Sequence, residues 1–120
     1  MKIQTKATNF TVSPDVSAYL EKRLNQFHKL IERAEEPFAD VELGTTTTHH
    51  RTGNVFRAEI NLTVKNRYYR AVAEASDIYA AIDIAKDEIV RELKSDRGKR
   101  RTLIRRGAAR VKDFIKKFYK

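Results

Sequence analysis

Residues 55–93 read VFRAEINLTVKNRYYRAVAEASDIYAAIDIAKDEIVREL, and this stretch specifies most of the fold. From Phe56 to Lys65 apolar and polar residues alternate, which is the period of a strand with one buried face. The alternation continues in YYRAVAEA, and the Lys65-Asn66-Arg67 segment in between is short enough for a hairpin turn. The sequence therefore predicts two antiparallel strands that each have one apolar face.

A helix is predicted directly after this hairpin, in SDIYAAIDIAKDEIVRELK. Either Ser76 or Asp77 can cap its N-terminus. Its apolar residues recur at helical spacing and share one face: Ile78, Ile82, Ala85, Ile89 and Leu93. The strand before it carries small residues on its inner face, Ala71, Ala73 and Ala75, so we expect the helix to pack closely across the sheet.

The first half of the chain supplies a second helix and two more strands. Ser13 is a natural N-cap and Pro14 suits the first helical position, and Pro37 is expected to end this helix. Its apolar face is Val16, Leu20, Leu24, Phe27 and Ile31. Residues 2–10 and the segment FADVELGT alternate as strands do. The predicted fold is α+β in the order β-α-β-β-β-α, a four-stranded sheet with two helices on one face, followed by a basic C-terminal tail that is helical or flexible.

The charge is concentrated at one end of the chain. Of the 120 residues, 1–93 hold 13 Lys/Arg and 14 Asp/Glu, whereas 94–120 hold 12 Lys/Arg and two Asp, so the net charge of +9 arises in the last 27 residues. We expect one domain over residues 1–97 and a separate basic tail over residues 98–120. Such asymmetry indicates a polyanionic partner. The chain has no cysteine and no apolar run that would serve as a signal peptide or span a bilayer, so a cytoplasmic protein is expected.

No constellation of catalytic or metal-ligating residues is evident. There is no phosphate-binding glycine loop, nucleophile elbow or HExxH spacing. His49 and His50 are adjacent and would point to opposite faces of an extended chain, and His28 is alone. Asp83 and Asp87 lie one helical turn apart, but Arg91 continues the row and suggests an ion pair with Asp87. We therefore expect no enzyme, no cofactor, no metal and no small-molecule substrate.

Both helices carry basic residues outside their apolar faces. On a continuous first helix, Lys22, Lys29 and Arg33 would lie within an arc of about 40°. Arg23 falls in the apolar arc, so its stem should pack while its guanidinium reaches solvent. Two such basic stripes could form the walls of a groove that binds RNA by backbone charge and shape. The residues predicted to bind RNA, on the helices and in the tail, are Lys22, Arg23, Lys29, Arg33, Arg91, Lys94, Arg97, Lys99, Arg100, Arg101, Arg105 and Arg106.

The tail, GKRRTLIRRGAARVKDFIKKFYK, has three possible uses. As a helix it would align apolar residues from Ile104 to Phe118 among basic ones, although Gly98 and Gly107 weaken such a helix. It could bind nucleic acid, lie on an anionic membrane, or pack on the domain or on a second copy. Salt separates RNA binding from self-association, because RNA binding weakens steeply with salt and an apolar contact between copies does not.

Three segments make the chain resemble a known family. They are VSPDVSAYLEKRLNQFHKL, SDIYAAID and IVRELK, and the resemblance spans about residues 1–99. The family is that of the short ribosome hibernation promoting factors, also called ribosome-associated inhibitors or ribosomal subunit interface proteins. The resemblance implies a fold related to double-stranded-RNA-binding domains. Its basic helix positions correspond to Arg23, Lys29, Arg91 and Lys99, whereas Gln26 and Glu88 stand where lysine is common.

The resemblance also implies a function. Members of this family bind the small ribosomal subunit in the channel for messenger and transfer RNA, and they silence idle ribosomes under stress. The expected partner is therefore the ribosomal RNA of the small subunit, bound by a monomer that needs no membrane. The tail departs from the family, since some short inhibitors end in an acidic tail and this chain ends in a basic one. An interaction protein whose tail mediates self-association or membrane-surface binding is the alternative.

Overall fold

A computed structural model of the chain describes residues 1–32, 35–46 and 55–118, with side chains up to residue 99. The elements are β1 (Lys2–Thr8), α1 (Pro14–Leu24), a 3₁₀ helix (Asn25–Lys29), β2 (Phe38–Thr46), β3 (Val55–Val64), β4 (Arg67–Ala75) and α2 (Ile78–Phe118). This is the predicted α+β order, with a four-stranded sheet and two helices.

The four strands form one mixed sheet in the order β1-β2-β3-β4. β1 runs parallel to β2, because α1 and the 3₁₀ helix connect them, and Ile3 pairs with Ala39. β2 and β3 are antiparallel, with Val41 opposite Ile60. β3 and β4 form the predicted hairpin, in which Ile60 pairs with Ala71. Lys65 turns the chain there with a φ of 52°.

One face of the sheet and both helices enclose a single core. Its strand residues alternate as predicted: Ala58, Ile60, Leu62 and Val64 of β3 and Tyr69, Ala71 and Ala73 of β4 are buried. The apolar faces predicted for the two helices are buried in the same core. The other face of the sheet bears polar residues, as expected for a sheet that packs on one side only.

The first helix begins as predicted but ends earlier. Ser13 accepts a hydrogen bond from the Val16 amide at 3.2 Å, and Pro14 is the first helical residue. The prediction that the helix continues to Pro37 was wrong, because α1 gives way to a 3₁₀ helix after Leu24. In a 3₁₀ helix residues three apart lie above one another, so Leu24 and Phe27 point into the core together. Both are fully buried.

The second helix is longer than its apolar face. Asp77 caps it by accepting a hydrogen bond from the Ala80 amide at 2.8 Å, which decides between the two predicted caps. α2 then continues without a break through Gly98 to Phe118, so the predicted tail is helical. Among the residues whose side chains the structure describes, Leu93 is the last of α2 in the core, and the 25 residues from there to Phe118 correspond to about 37 Å of helix. Among the described residues no helix is apolar enough to cross a membrane.

Candidate nucleic-acid interface

Five of the predicted RNA-binding side chains are exposed, and none of the five makes an ion pair with another described residue: Lys22, Lys29, Arg91, Lys94 and Lys99. Arg97 is half-buried. Arg33 and the side chains of Arg100, Arg101, Arg105 and Arg106 lie outside the described part of the chain. Unpaired, exposed cations of this kind are the groups that contact phosphates.

The basic stripe predicted along the first helix needs a correction. The prediction that Lys22, Lys29 and Arg33 share an arc of about 40° requires an α-helix, with 100° per residue, from Lys22 to Arg33. The chain is α-helical only as far as Leu24. Lys29 instead ends the 3₁₀ helix, where the carbonyl end of a helix favours a cation. It lines a surface concavity of about 810 Å³ together with Lys2, His28 and Glu36. Lys22 and Lys29 thus belong to two separate positions on the helical side.

Arg23 is held between the two helices. Its Nε lies 3.2 Å from Oδ1 of Asp83, and its guanidinium lies 4.8 Å from the centre of the Tyr19 ring. The Tyr19 hydroxyl and the Asp83 carboxylate raise the pKa of Arg23. The side chain is still 34% exposed, but its charge is largely matched within the protein. Arg23 is therefore less available to a phosphate than Lys22, the residue before it.

Further polar contacts continue this helix seam, which we define as Tyr19, Arg23 and Gln26 facing Asp83 and Lys86. The Tyr19 hydroxyl donates to both oxygens of Asp83, at 2.8 and 2.7 Å. Burial and this hydrogen bond raise the pKa of Tyr19. The Lys86 ammonium donates to Gln26 Oε1 at 3.1 Å and also contacts Asp87.

Gln26 has a structural role in the seam. Its amide oxygen accepts a hydrogen bond from Lys86, which is buried. A second ammonium at residue 26 would face the first one. The predicted ion pair of Asp87 with Arg91 is absent from the described residues: Asp87 contacts Lys86 instead, and Arg91 is exposed.

A second polar network fixes α2 where it leaves the core. Tyr69 of β4 donates to Asp96 Oδ2 at 2.6 Å and accepts from Arg67 at 3.2 Å, and Arg67 in turn binds Glu35 at 2.6 Å. Burial, followed by the hydrogen bond to Asp96, raises the pKa of Tyr69. The network therefore sets the direction in which α2 presents Arg97 and Lys99.

The open face of the sheet, which we define as Asp40, Glu59, Asn61, Tyr68 and Arg70, has a different character. Arg70 binds Glu59 at 2.6 Å, and this hydrogen bond lowers the pKa of Glu59. These residues line a concavity of about 400 Å³ together with Phe38 and Thr63. Two carboxylates in one concavity disfavour a polyanion, so the exposed cations of the helical side are the better nucleic-acid interface.

Sequence reasoning missed the partners across the seam. The i, i+4 spacing of Tyr19 and Arg23 was visible, and so was that of Asp83 and Asp87, but the register between the two helices was not. Asp83 and Asp87, which lie one helical turn apart, both have partners within the protein: Tyr19 and Arg23 bind Asp83, and Lys86 contacts Asp87. In the described part of the chain no three His, Cys, Asp or Glu residues cluster as metal ligands would.

Comparison with known proteins identifies similar structures and a matching family. The fold is similar to the N-terminal domain of Thermus thermophilus Protein Y, with 27% identity, a TM-score of 0.68, and 79% of this chain and 98% of that chain covered. It is also similar to a ribosomal subunit interface protein from Coxiella burnetii, with 19% identity, a TM-score of 0.67, and 82% and 99% of the two chains covered; this second likeness concerns the fold alone. The family described as "Sigma 54 modulation protein / S30EA ribosomal protein" matches residues 3–101. The chain belongs to this family of ribosome-associated factors.

Proposed function

We propose that this chain binds the small ribosomal subunit in the channel for messenger and transfer RNA and thereby inactivates idle ribosomes under stress. Membership of the family over residues 3–101 supports ribosome association. The observation that carries the proposal for this chain is the set of five exposed cations on the helical side, which have no ion-pair partner among the described residues.

Physical chemistry explains how these cations would act. Each Lys or Arg that neutralises a phosphate releases condensed counterions, and this release drives association at moderate salt. Contacts of this type track the shape of an RNA backbone and do not require a base sequence. Five described residues are exposed and fit this role: Lys22, Lys29, Arg91, Lys94 and Lys99. Arg23 and Arg97 contribute less because they are half-buried.

We assign two parts of the chain to the task. Residues 1–97 form the ribosome-binding domain, and residues 98–120 form a basic extension that adds phosphate contacts through Arg100, Arg101, Arg105 and Arg106. The charge distribution supports this assignment, because residues 94–120 hold 12 Lys/Arg and two Asp. α2 runs unbroken across the boundary to Phe118 and joins the two parts.

The proposed role requires occupancy of a site and no bond-making, so it involves no enzymatic activity. The chain acts as a cytoplasmic monomer and needs no membrane and no small-molecule substrate. Self-association through the tail is the competing function, and it predicts binding between copies that salt does not weaken.

Competition on isolated small subunits tests the proposal. Labelled messenger RNA and initiator transfer RNA are bound first, and the protein is then added. We expect displacement of both ligands, and a weaker effect from a Lys22→Glu/Lys29→Glu variant. Lys6→Glu, on the edge strand β1, is the control for each single substitution, Lys22→Glu or Lys29→Glu, because it makes the same change of charge at an exposed position outside the helices. Binding of the protein without displacement of either RNA would contradict occupancy of the channel.

A further inference from the structure

An exposed aromatic side chain lies at the start of α2. Tyr79 is the second residue of that helix and is 39% exposed. Its ring packs edge-to-face on Tyr19 of α1, with 4.9 Å between the ring centres and an angle of 86° between the planes. An aromatic pair in this geometry is stabilised by its ring quadrupoles. Tyr79 therefore presents a ring surface to solvent in a fixed orientation.

The supporting ring is itself immobilised. The Tyr19 hydroxyl donates to both oxygens of Asp83, and the Arg23 guanidinium lies 4.8 Å from the centre of the same ring. A contact surface that is ordered before its ligand arrives loses little side-chain entropy on binding. The pair thus has the preorganisation of a binding site.

The charges around the pair indicate which part of a nucleotide it would contact. Arg23 is matched by Asp83 and Lys86 by Asp87, so the seam itself offers little attraction to a phosphate. Lys22 is exposed three residues after Tyr19, and residues at this spacing are neighbours on a helix surface. A flat ring without net charge, on a pair whose other helix carries an exposed cation one turn along, fits a base and its adjoining phosphate.

We propose that Tyr79 is a stacking platform for an unpaired base of RNA and that Lys22 contacts the neighbouring phosphate. The inference rests on the proposed ribosomal function. It adds a contact to a base, whereas the contacts proposed above are to the phosphates of the RNA backbone. Stacking on an aromatic side chain tolerates any base, because each base has a π face.

Tyr68 provides a matched control on the opposite side of the molecule. It is more exposed, at 62%, but its hydroxyl donates to Asn61 on the open face, where Asp40 and Glu59 line the same concavity. Arg70 matches Glu59, but Asp40 has no cationic partner among the described residues and repels an approaching phosphate. Tyr68 and Tyr79 are therefore alike in chemistry and are both exposed, but they differ in their electrostatic surroundings.

The first test measures the affinity of the full chain for isolated small subunits. Tyr79→Ala is expected to weaken binding about tenfold, whereas Tyr79→Phe and Tyr68→Ala leave it unchanged. The dependence of affinity on salt should keep its slope in Tyr79→Ala, because no charge is removed. Unchanged binding by Tyr79→Ala would overturn the proposal, and so would a loss in Tyr79→Phe equal to that in Tyr79→Ala.

The second test does not depend on the ribosome. The chain has no tryptophan, so Tyr79→Trp introduces a single indole at the site. Its fluorescence should be quenched by a single-stranded oligoadenylate about ten nucleotides long and not by an abasic strand of equal length. Quenching in a protein that does not bind small subunits would refute the proposed function alone. Equal responses to the two strands, in a protein that binds small subunits, would refute the stacking site alone.

Discussion

Lys86 shows how single residues shape the interface. Its side chain is 8% exposed, and Gln26 and Asp87 accept contacts from its ammonium. A buried ammonium is tolerated only where acceptors surround it. The amide of Gln26 therefore has a structural role in the seam. The cations of this region that remain available to RNA are the exposed Lys22 and Lys29.

Gln26→Lys should destabilise the fold by about 1–3 kcal/mol, because it removes an acceptor from a buried donor and adds a like charge. Gln26→Glu keeps an acceptor at the same position and should stay within about 1 kcal/mol of the unmodified protein. Urea unfolding of the two variants measures the difference. Equal stabilities would show that the Lys86 contact is not energetically coupled to residue 26.

Tyr69 makes stability depend on pH at the alkaline end. Its folded pKa lies above the ordinary value of 10.0, so its stabilising contribution is present below about pH 10 and is lost as the pH rises through the folded pKa. Tyr69→Phe leaves Asp96 without this donor and should cost about 1–2 kcal/mol at neutral pH. The difference in unfolding free energy between the two proteins should narrow above pH 10. A constant difference over that range would contradict the linkage.

At the scale of elements, Gly98 of α2 and Gly44 of β2 differ in the space available for a side chain. Gly98 lies within α2, and a Cβ added there would have no neighbouring atom within 4 Å, whereas a Cβ on Gly44 would lie 3.1 Å from the Thr8 carbonyl oxygen. Gly98→Ala should therefore increase the helical circular-dichroism signal and stabilise α2 by up to about 1 kcal/mol. Gly44→Ala should give no such gain, because it crowds the contact between β1 and β2. A loss of helicity in Gly98→Ala would mean that α2 needs its glycine.

Strands, helices and their buried faces could be predicted from the sequence because each follows from local periodicity. The alternation around Ile60 and the helical spacing from Ile78 to Leu93 report directly which residues face the core. The end of α1 could not be predicted, because Leu24 and Phe27 are three residues apart, and both an α-helix and a 3₁₀ helix place residues at this spacing on one face. The seam could not be predicted either, since a contact such as Tyr19 to Asp83 depends on the register of two helices 64 residues apart in the chain.

At the scale of the whole molecule, charge is divided between two sides and one extension. The open face of the sheet carries matched pairs such as Arg70 and Glu59, whereas the helical side carries exposed lysines. Residues 100–120 hold nine Lys/Arg and one Asp, a net charge of +8. Among the residues whose side chains the structure describes, Leu93 is the last of α2 in the core, and Asp96 anchors α2 through Tyr69. We therefore expect the domain to keep its fold without this extension.

A chain ending at Lys99 should therefore unfold with a midpoint close to that of the full chain. It should bind small subunits more weakly at low salt and with a shallower dependence on salt, because fewer phosphates are neutralised. Thermal unfolding and binding are measured on the same preparation, so that loss of binding is not confused with loss of fold. Equal affinity of the two chains would show that the extension does not contact RNA.

Sedimentation of the full chain with isolated small ribosomal subunits across a salt series is the decisive test of ribosome binding through exposed cations. If about six phosphates are neutralised, the logarithm of the affinity should fall with the logarithm of salt with a slope of about −5. Co-sedimentation should then be strong at low salt and lost at moderate salt. Absence of co-sedimentation at every salt concentration, or binding that salt does not weaken, would contradict the proposed function.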